Sequence, residues 1–148
     1  MLSKRAKYAI NALVYLAKQE AQKPILISRI AEEEHIPKKF LEAILLELKH
    51  AGILKSKKGK GGGYFLHKAP DEVSLADIMR LFDGAIAFLP CVTYQYYERC
   101  EECVDEETCG IRDVFQDVRD ESVRVLKAST LANIIERENK LENALKKK

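Results

Sequence analysis

Nine consecutive residues, Lys55-Ser56-Lys57-Lys58-Gly59-Lys60-Gly61-Gly62-Gly63, hold four lysines and four glycines. No helix tolerates that glycine density, and no core strand tolerates that charge. The stretch lies between two short apolar segments, Ile53-Leu54 and Tyr64-Phe65-Leu66. Two such segments around a glycine-rich tip predict a β-hairpin with an exposed, cationic end. A phosphate-binding P-loop is a poor alternative, because that motif needs Lys-Ser/Thr after its last glycine and Tyr64 follows here. Taken alone, the stretch also fits a solvated flexible loop.

What precedes the hairpin narrows the choice. Lys4 to Lys18 predicts a helix with Tyr8, Ile10, Leu13, Val14 and Ala17 on a mostly apolar face. Gln22-Lys23-Pro24 is a connector, and Ser28 is a candidate N-cap for a short helix from Arg29 to Glu34. His35-Ile36-Pro37 ends that helix and starts the next, since proline suits a first helical turn. Lys38 to His50 carries Leu41, Ile44, Leu45 and Leu48, the spacing of a half-buried helix, and Gly52 stands where a left-handed cap residue is wanted. Two helices across a tight turn, then a hairpin, predict a winged helix-turn-helix. The second helix of such a pair enters the major groove. Its first residues off the apolar stripe are Lys38, Lys39 and Glu42. Glu42 can accept from cytosine N4, whereas the lysines suit phosphates. On the wing, Lys57, Lys58 and Lys60 supply charge, and Gly61 and Gly62 permit close backbone approach.

Charge supports this placement. The net +2 conceals +8 over residues 1–70, −10 over 71–123 and +4 over 124–148. Contact with a polyanion such as double-stranded DNA therefore belongs to the basic N-terminal half. The bland alternative is charge on solvated faces.

The rest of the chain differs in character. Asp71 to Asp83 predicts a helix with a Ser74/Asp77 cap and a stripe of Leu75, Ile78, Met79 and Phe82, ended by Gly84. Residues 85–109 show no period. Ile111 to about Lys127 reads as a charged helix, and Ser129 or Thr130 caps a last one. All four cysteines lie in the aperiodic part, as Cys91-x8-Cys100-x2-Cys103-x5-Cys109. The start of the chain lacks a signal-peptide pattern and no apolar run is long enough to span a membrane, so a cytoplasmic location without membrane contact is expected. Disulfides are rare there. Four soft thiols within one short stretch suit an iron–sulfur cluster; zinc is the alternative, although only one C-x2-C knuckle is present. Redox thiols or a spectator role are the other options. Six acidic residues between 98 and 107 oppose a simple reactive thiolate. His35, His50 and His67 are surface or turn residues by position. No nucleophile–base pair, nucleotide motif or α/β pattern points to an enzyme.

In order and motif the chain resembles the IscR/NsrR/CymR family of bacterial transcription regulators, from Leu2 to about Arg137. The resemblance rests on Lys7-Tyr8-Ala9, on the turn and helix from His35 to Gly52, and on the wing Gly59-Lys60-Gly61-Gly62-Gly63-Tyr64. It implies a homodimer in which Asp113 to Lys127 crosses its partner's equivalent. It also implies that Glu42 reads a base and that Lys58 is a basic wing residue. Cys91, Cys103 and Cys109 match the cysteines of cluster-binding members, and Cys100 is additional. Arg112 stands where the 2Fe–2S members place a histidine ligand. Cys100 can fill that place, or a ligand can come from the partner subunit, and 4Fe–4S is as open as 2Fe–2S. The expected fold is mainly α with a small hairpin wing and a long C-terminal dimerisation helix. Its divisions are 1–84 (winged domain), 85–110 (sensor loop) and 111–148 (dimerisation and C-terminal helices). The rival readings are a DNA-binding regulator with zinc, thiol or partner-protein control, and a winged module that binds protein rather than DNA.

Overall fold

The computed structural model describes residues 2–147. Three helices come first: α1 (Lys4–Ala17), α2 (Ile27–Glu33) and α3 (Lys38–His50). Strands β1 (Leu54–Lys57) and β2 (Gly63–Leu66) form an antiparallel pair that registers Leu54 on Leu66 and Lys57 on Gly63. Helices α4 (Leu75–Phe82), α5 (Gly110–Ala128) and α6 (Leu131–Lys146) follow, with 3-10 turns at Pro70–Glu72 and Pro90–Val92. This is the expected winged helix-turn-helix. No helix among the described residues is long and apolar enough to cross a membrane.

The core follows from the apolar spacing. Leu41, Ile44, Leu45 and Leu48 of α3 are fully buried, as are Ala9, Ala12 and Leu13 of α1. Each buried leucine or isoleucine contributes about 1.5–3 kcal/mol by leaving water. The alanines leave room for α3 to approach α1. Ser3 caps α1, its hydroxyl oxygen accepting from the Ala6 N–H at 3.0 Å, and the same hydroxyl donates to Asp83 beyond the end of α4. Gly52, at φ +74°, ends α3: its N–H donates to Lys49 O and the Ile53 N–H to Leu48 O. Those two bonds are the Schellman arrangement. The turn between α2 and α3 repeats it with a histidine. His35 adopts φ +51°, and the Ile36 N–H donates to Ala31 O at 3.0 Å.

Several boundaries differ from the sequence expectation. Ser28 is not the N-cap of α2; the helix begins at Ile27 after Leu26, with no side-chain cap. Ile25 is hydrogen-bonded to Tyr64 in both directions at 2.9 Å, so the chain turns helical directly after that bridge. Asp71 and Glu72 lie in a 3-10 turn rather than in α4, which starts at the Ser74/Asp77 capping box. Within α4, Ile78 is fully buried while Leu75, Met79 and Phe82 are half-buried. Thr130, not Ser129, caps α6.

Helix α6 packs away from the element that precedes it. Its Leu131 is fully buried in the core of the winged half, Ile134 and Ile135 pack on that core, and Glu138 pairs with Lys18 of α1 at 2.6 Å. Backbone bonds from Leu131 N–H to Val73 O and from Leu75 N–H to Ser129 O join the starts of α6 and α4. The stretch from Gly84 to Ala128 thus lies in the chain between two elements, α4 and α6, that both contribute to the core of the winged half.

Candidate nucleic-acid interface and cysteine segment

An open groove runs between α3 and the wing. Lys38, Glu42 and Lys49 line it from α3; Ser56, Lys57, Lys58 and Gly62 line it from the hairpin; Ser28 lies at its α2 side. Lys39, Lys60 and Gly61 are exposed beside it without lining it. Among the described residues, none of Lys38, Lys39, Glu42, Lys57, Lys58 and Lys60 forms an ion pair. The five lysines therefore present cationic charge to solvent, as suits phosphate contacts, and the Glu42 carboxylate is left free to accept a hydrogen bond. Sequence reasoning did not assign Lys49, Ser56 and Ser28 to this groove. Lys49 was detectable, since it lies seven residues after Glu42 and so on the same helix face.

The glycines of the wing are fixed by backbone contacts. A Cβ at Gly62 would lie 2.3 Å from the Lys57 carbonyl oxygen, and the Gly62 N–H closes the tip onto Gly59 O at 2.9 Å. At Gly63, with φ +145°, a Cβ would lie 2.2 Å from the Ile25 carbonyl oxygen. Gly63 therefore lets β2 pair with the backbone leading into α2, and this sets the wing's position relative to α3.

The cysteine segment is built differently. Cys91 is buried in the turn Pro90–Val92. Cys109 caps α5, its sulfur accepting from the Arg112 N–H at 3.5 Å. Cys100 is exposed and donates to the Glu102 carboxylate at 3.3 Å, which pushes its thiol above the ordinary value. Cys103 is half-buried and its N–H donates to Cys100 O. All four thiols are free. Convergence of the cysteines on one centre was expected, yet among the described residues no three His, Cys, Asp or Glu side chains are grouped as a metal site. Each cysteine is held by a separate local role: burial, helix capping or a turn.

Two arginines on α5 grip the start of this segment. Arg112 donates through Nε to the Cys91 carbonyl at 3.3 Å. Further along the helix, Arg119 donates through Nη1 to the Val92 carbonyl at 2.6 Å and lies over the Tyr94 ring at 4.0 Å. Asp120 accepts from both Arg119 Nε, at 2.8 Å, and the Tyr94 hydroxyl, at 2.6 Å. These bonds, Arg119's first, hold the Asp120 carboxyl below the ordinary carboxylate range. The sequence offered no signal for this trio, because Tyr94 stands far from Arg119 and Asp120 along the chain. Arg112 cannot ligate a metal, but it touches the residues of two cysteines.

A family model described as Rrf2, an iron-dependent transcriptional regulator, matches residues 2–137. The chain belongs to the Rrf2 family. A helix-turn-helix-type regulator of Rhodobacter capsulatus, described as rrf2-like, is 43% identical over 121 residues, covering 80% of this chain and 81% of that one. Among solved structures, CymR, described as the global cysteine regulator of Bacillus subtilis, superposes with a TM-score of 0.75 at 28% identity, covering 90% of this chain and 95% of CymR. The IscR of T. potens shares the fold, with a TM-score of 0.72 at 24% identity over 93% of this chain and 88% of that one. This Rrf2 protein is thus a helix-turn-helix transcriptional regulator, and its relatives are regulators rather than enzymes.

Proposed function

We propose that this protein is a homodimeric, sequence-specific DNA-binding regulator whose affinity for its operator is set by an iron–sulfur centre on the cysteine segment. The observation that carries the DNA reading is the groove between α3 and the wing, lined by unpaired lysines around Glu42. For the dimer, Ile111, Val114, Val118 and Val125 form an exposed apolar row along α5. Their spacings of three, four and seven residues place them on one helix face, which a second copy's α5 would cover.

The donor chemistry of the segment fits such a centre: four soft thiols on one short stretch, three of them reachable from solvent. Cys91, Cys103 and Cys109 would hold it, with Cys100 in the place that Arg112 leaves open. A bound cluster supplies a group whose charge and presence depend on redox conditions. The chain's own contribution is mechanical. Arg112 and Arg119 tie residues 91–94 to α5, so ordering the segment biases α5 and, through it, the spacing of two recognition helices on half-sites about one DNA turn apart.

A second reading keeps the DNA binding and replaces the cluster with zinc or thiol chemistry. Its thiol form is favoured by the separation of the four free thiols, which suits no metal better than another, and by the likeness to CymR. Purification without oxygen, with iron, sulfide and zinc analysis, separates the two. A coloured protein with matched iron and sulfide, whose operator affinity changes at least tenfold on cluster removal, is the expected result. A colourless protein with stoichiometric zinc supports the second reading. Equal affinities of apo and reconstituted protein at matched salt defeat the switch.

A further inference from the structure

The outward face of α3 is not uniformly polar. Lys39, Glu42, Ala43, Leu46 and His50 are all exposed, while Leu41, Ile44, Leu45 and Leu48 are fully buried on the opposite side. Leu46 leaves 46% of its surface in water although the core lies on the same helix. It follows Glu42 by one helical turn, and Ala43 beside it is small. The other exposed apolar residue of α3, Phe40, lies on a different flank. It is seven residues from Glu47, which is bound to Arg5 of α1. Leu46 is therefore the large exposed apolar group one turn from Glu42; it lies outside the residues that line the groove, with the exposed Lys38, Lys39 and Lys49 on the same helix.

An exposed apolar side chain on a helix that also carries exposed cations suits a surface that is anionic at its edges and apolar within. The major groove provides this only where a thymine C5-methyl projects between phosphate walls. Residues one turn apart on a helix are separated by about 6 Å along the axis. Two base-pair steps of about 3.4 Å each span nearly the same distance. Resting on the DNA-binding reading above, we infer that Leu46 is a specificity-determining residue that packs on the methyl group of a thymine within two base pairs of the cytosine read by Glu42, and that Ala43 leaves that methyl room to enter.

The test changes one methyl group. Selection from a randomised duplex library defines the preferred half-site, and each thymine within two base pairs of the selected cytosine is then replaced by deoxyuridine. The expected result is about a fourfold loss of affinity at one of these positions, the effect of removing one buried methyl contact. Leu46→Ala binds the thymine duplex about fourfold more weakly than the unaltered protein and no longer distinguishes it from the deoxyuridine duplex. Leu46→Met, which keeps an apolar contact, retains the distinction. The slope of affinity against salt stays the same in Leu46→Ala, since no phosphate contact is removed. A sequence-specific complex indifferent to every such methyl, or a half-site with no thymine there, overturns this inference and leaves the DNA reading standing. Binding without any sequence preference overturns both.

Discussion

The winged half and the cysteine segment are held together by different physics. Around α3 the restraints are apolar burial and backbone hydrogen bonds: four fully buried side chains, two Schellman turns, and a bridge between Ile25 and Tyr64. Between Gly84 and Cys109 the restraints are mostly side-chain contacts, and Arg112, Arg119 and Asp120 of α5 supply several of them. A surface that reads DNA must hold its shape before the ligand arrives, and close packing provides that. On the proposed reading the cysteine segment answers a signal, and few, exchangeable polar contacts suit that role.

The contrast can be broken most severely at the core. Leu45→Ala should lower the stability of the fold by about 2–5 kcal/mol, read as the urea midpoint. A change under about 1 kcal/mol would mean that the winged half is not the rigid partner. Next in size is the charge of the wing. Lys58→Glu with Lys60→Glu should weaken operator binding at least tenfold and flatten the slope of log affinity against log salt by about two. Unaltered affinity in a folded variant would remove the wing from the interface. Gly63→Ala tests the backbone fit. Its Cβ collides with the Ile25 carbonyl, so a loss of about 1–3 kcal/mol and faster amide exchange at Ile25 and Tyr64 are expected.

The smallest effects belong to the segment. Arg119→Ala should speed amide exchange over residues 92–96 while leaving the exchange of α3 unchanged. If α3 loosens as well, the two regions are not separate. Acid should act on the same clamp. Asp120 titrates below its ordinary 3.8 because of Arg119 and Tyr94. Its contribution is therefore complete above that ordinary value and fades as pH falls through the lower folded value. The Tyr94 ring, followed by NMR, should gain mobility on acidification, and Asp120→Asn should show that mobility already at neutral pH.

Much of the winged half was legible because its determinants are local. The stripe of α3, the glycine that ends it and the hairpin around a charged tip are each readable within one short stretch of chain. The exceptions were boundaries. Ser28 looked like a cap, and the helix began earlier because Ile25 is bound to Tyr64, which is distant in sequence. His35 in the left-handed region at the helix-turn-helix corner was also hidden, since position alone does not announce φ. In the cysteine segment the spacing of thiols was visible, but the spacing of residues does not fix where thiols point. Cys109 as a helix cap and Arg112 as a tie to Cys91 emerge only once α5 lies beside the turn at Pro90.

Sequence by itself determined the periodic and compositional features: a winged helix-turn-helix, its cationic face in the N-terminal half, and a thiol-rich stretch before a long helix. Those depend on apolar spacing and charge along the chain, which no partner alters. Tertiary structure decided what distant segments do to each other. It returned α6 to the first core, made Gly63 obligatory against Ile25, and placed Arg119 of α5 over Tyr94. Contacts between residues far apart in the chain leave no period in it, so only the folded backbone could bring them together.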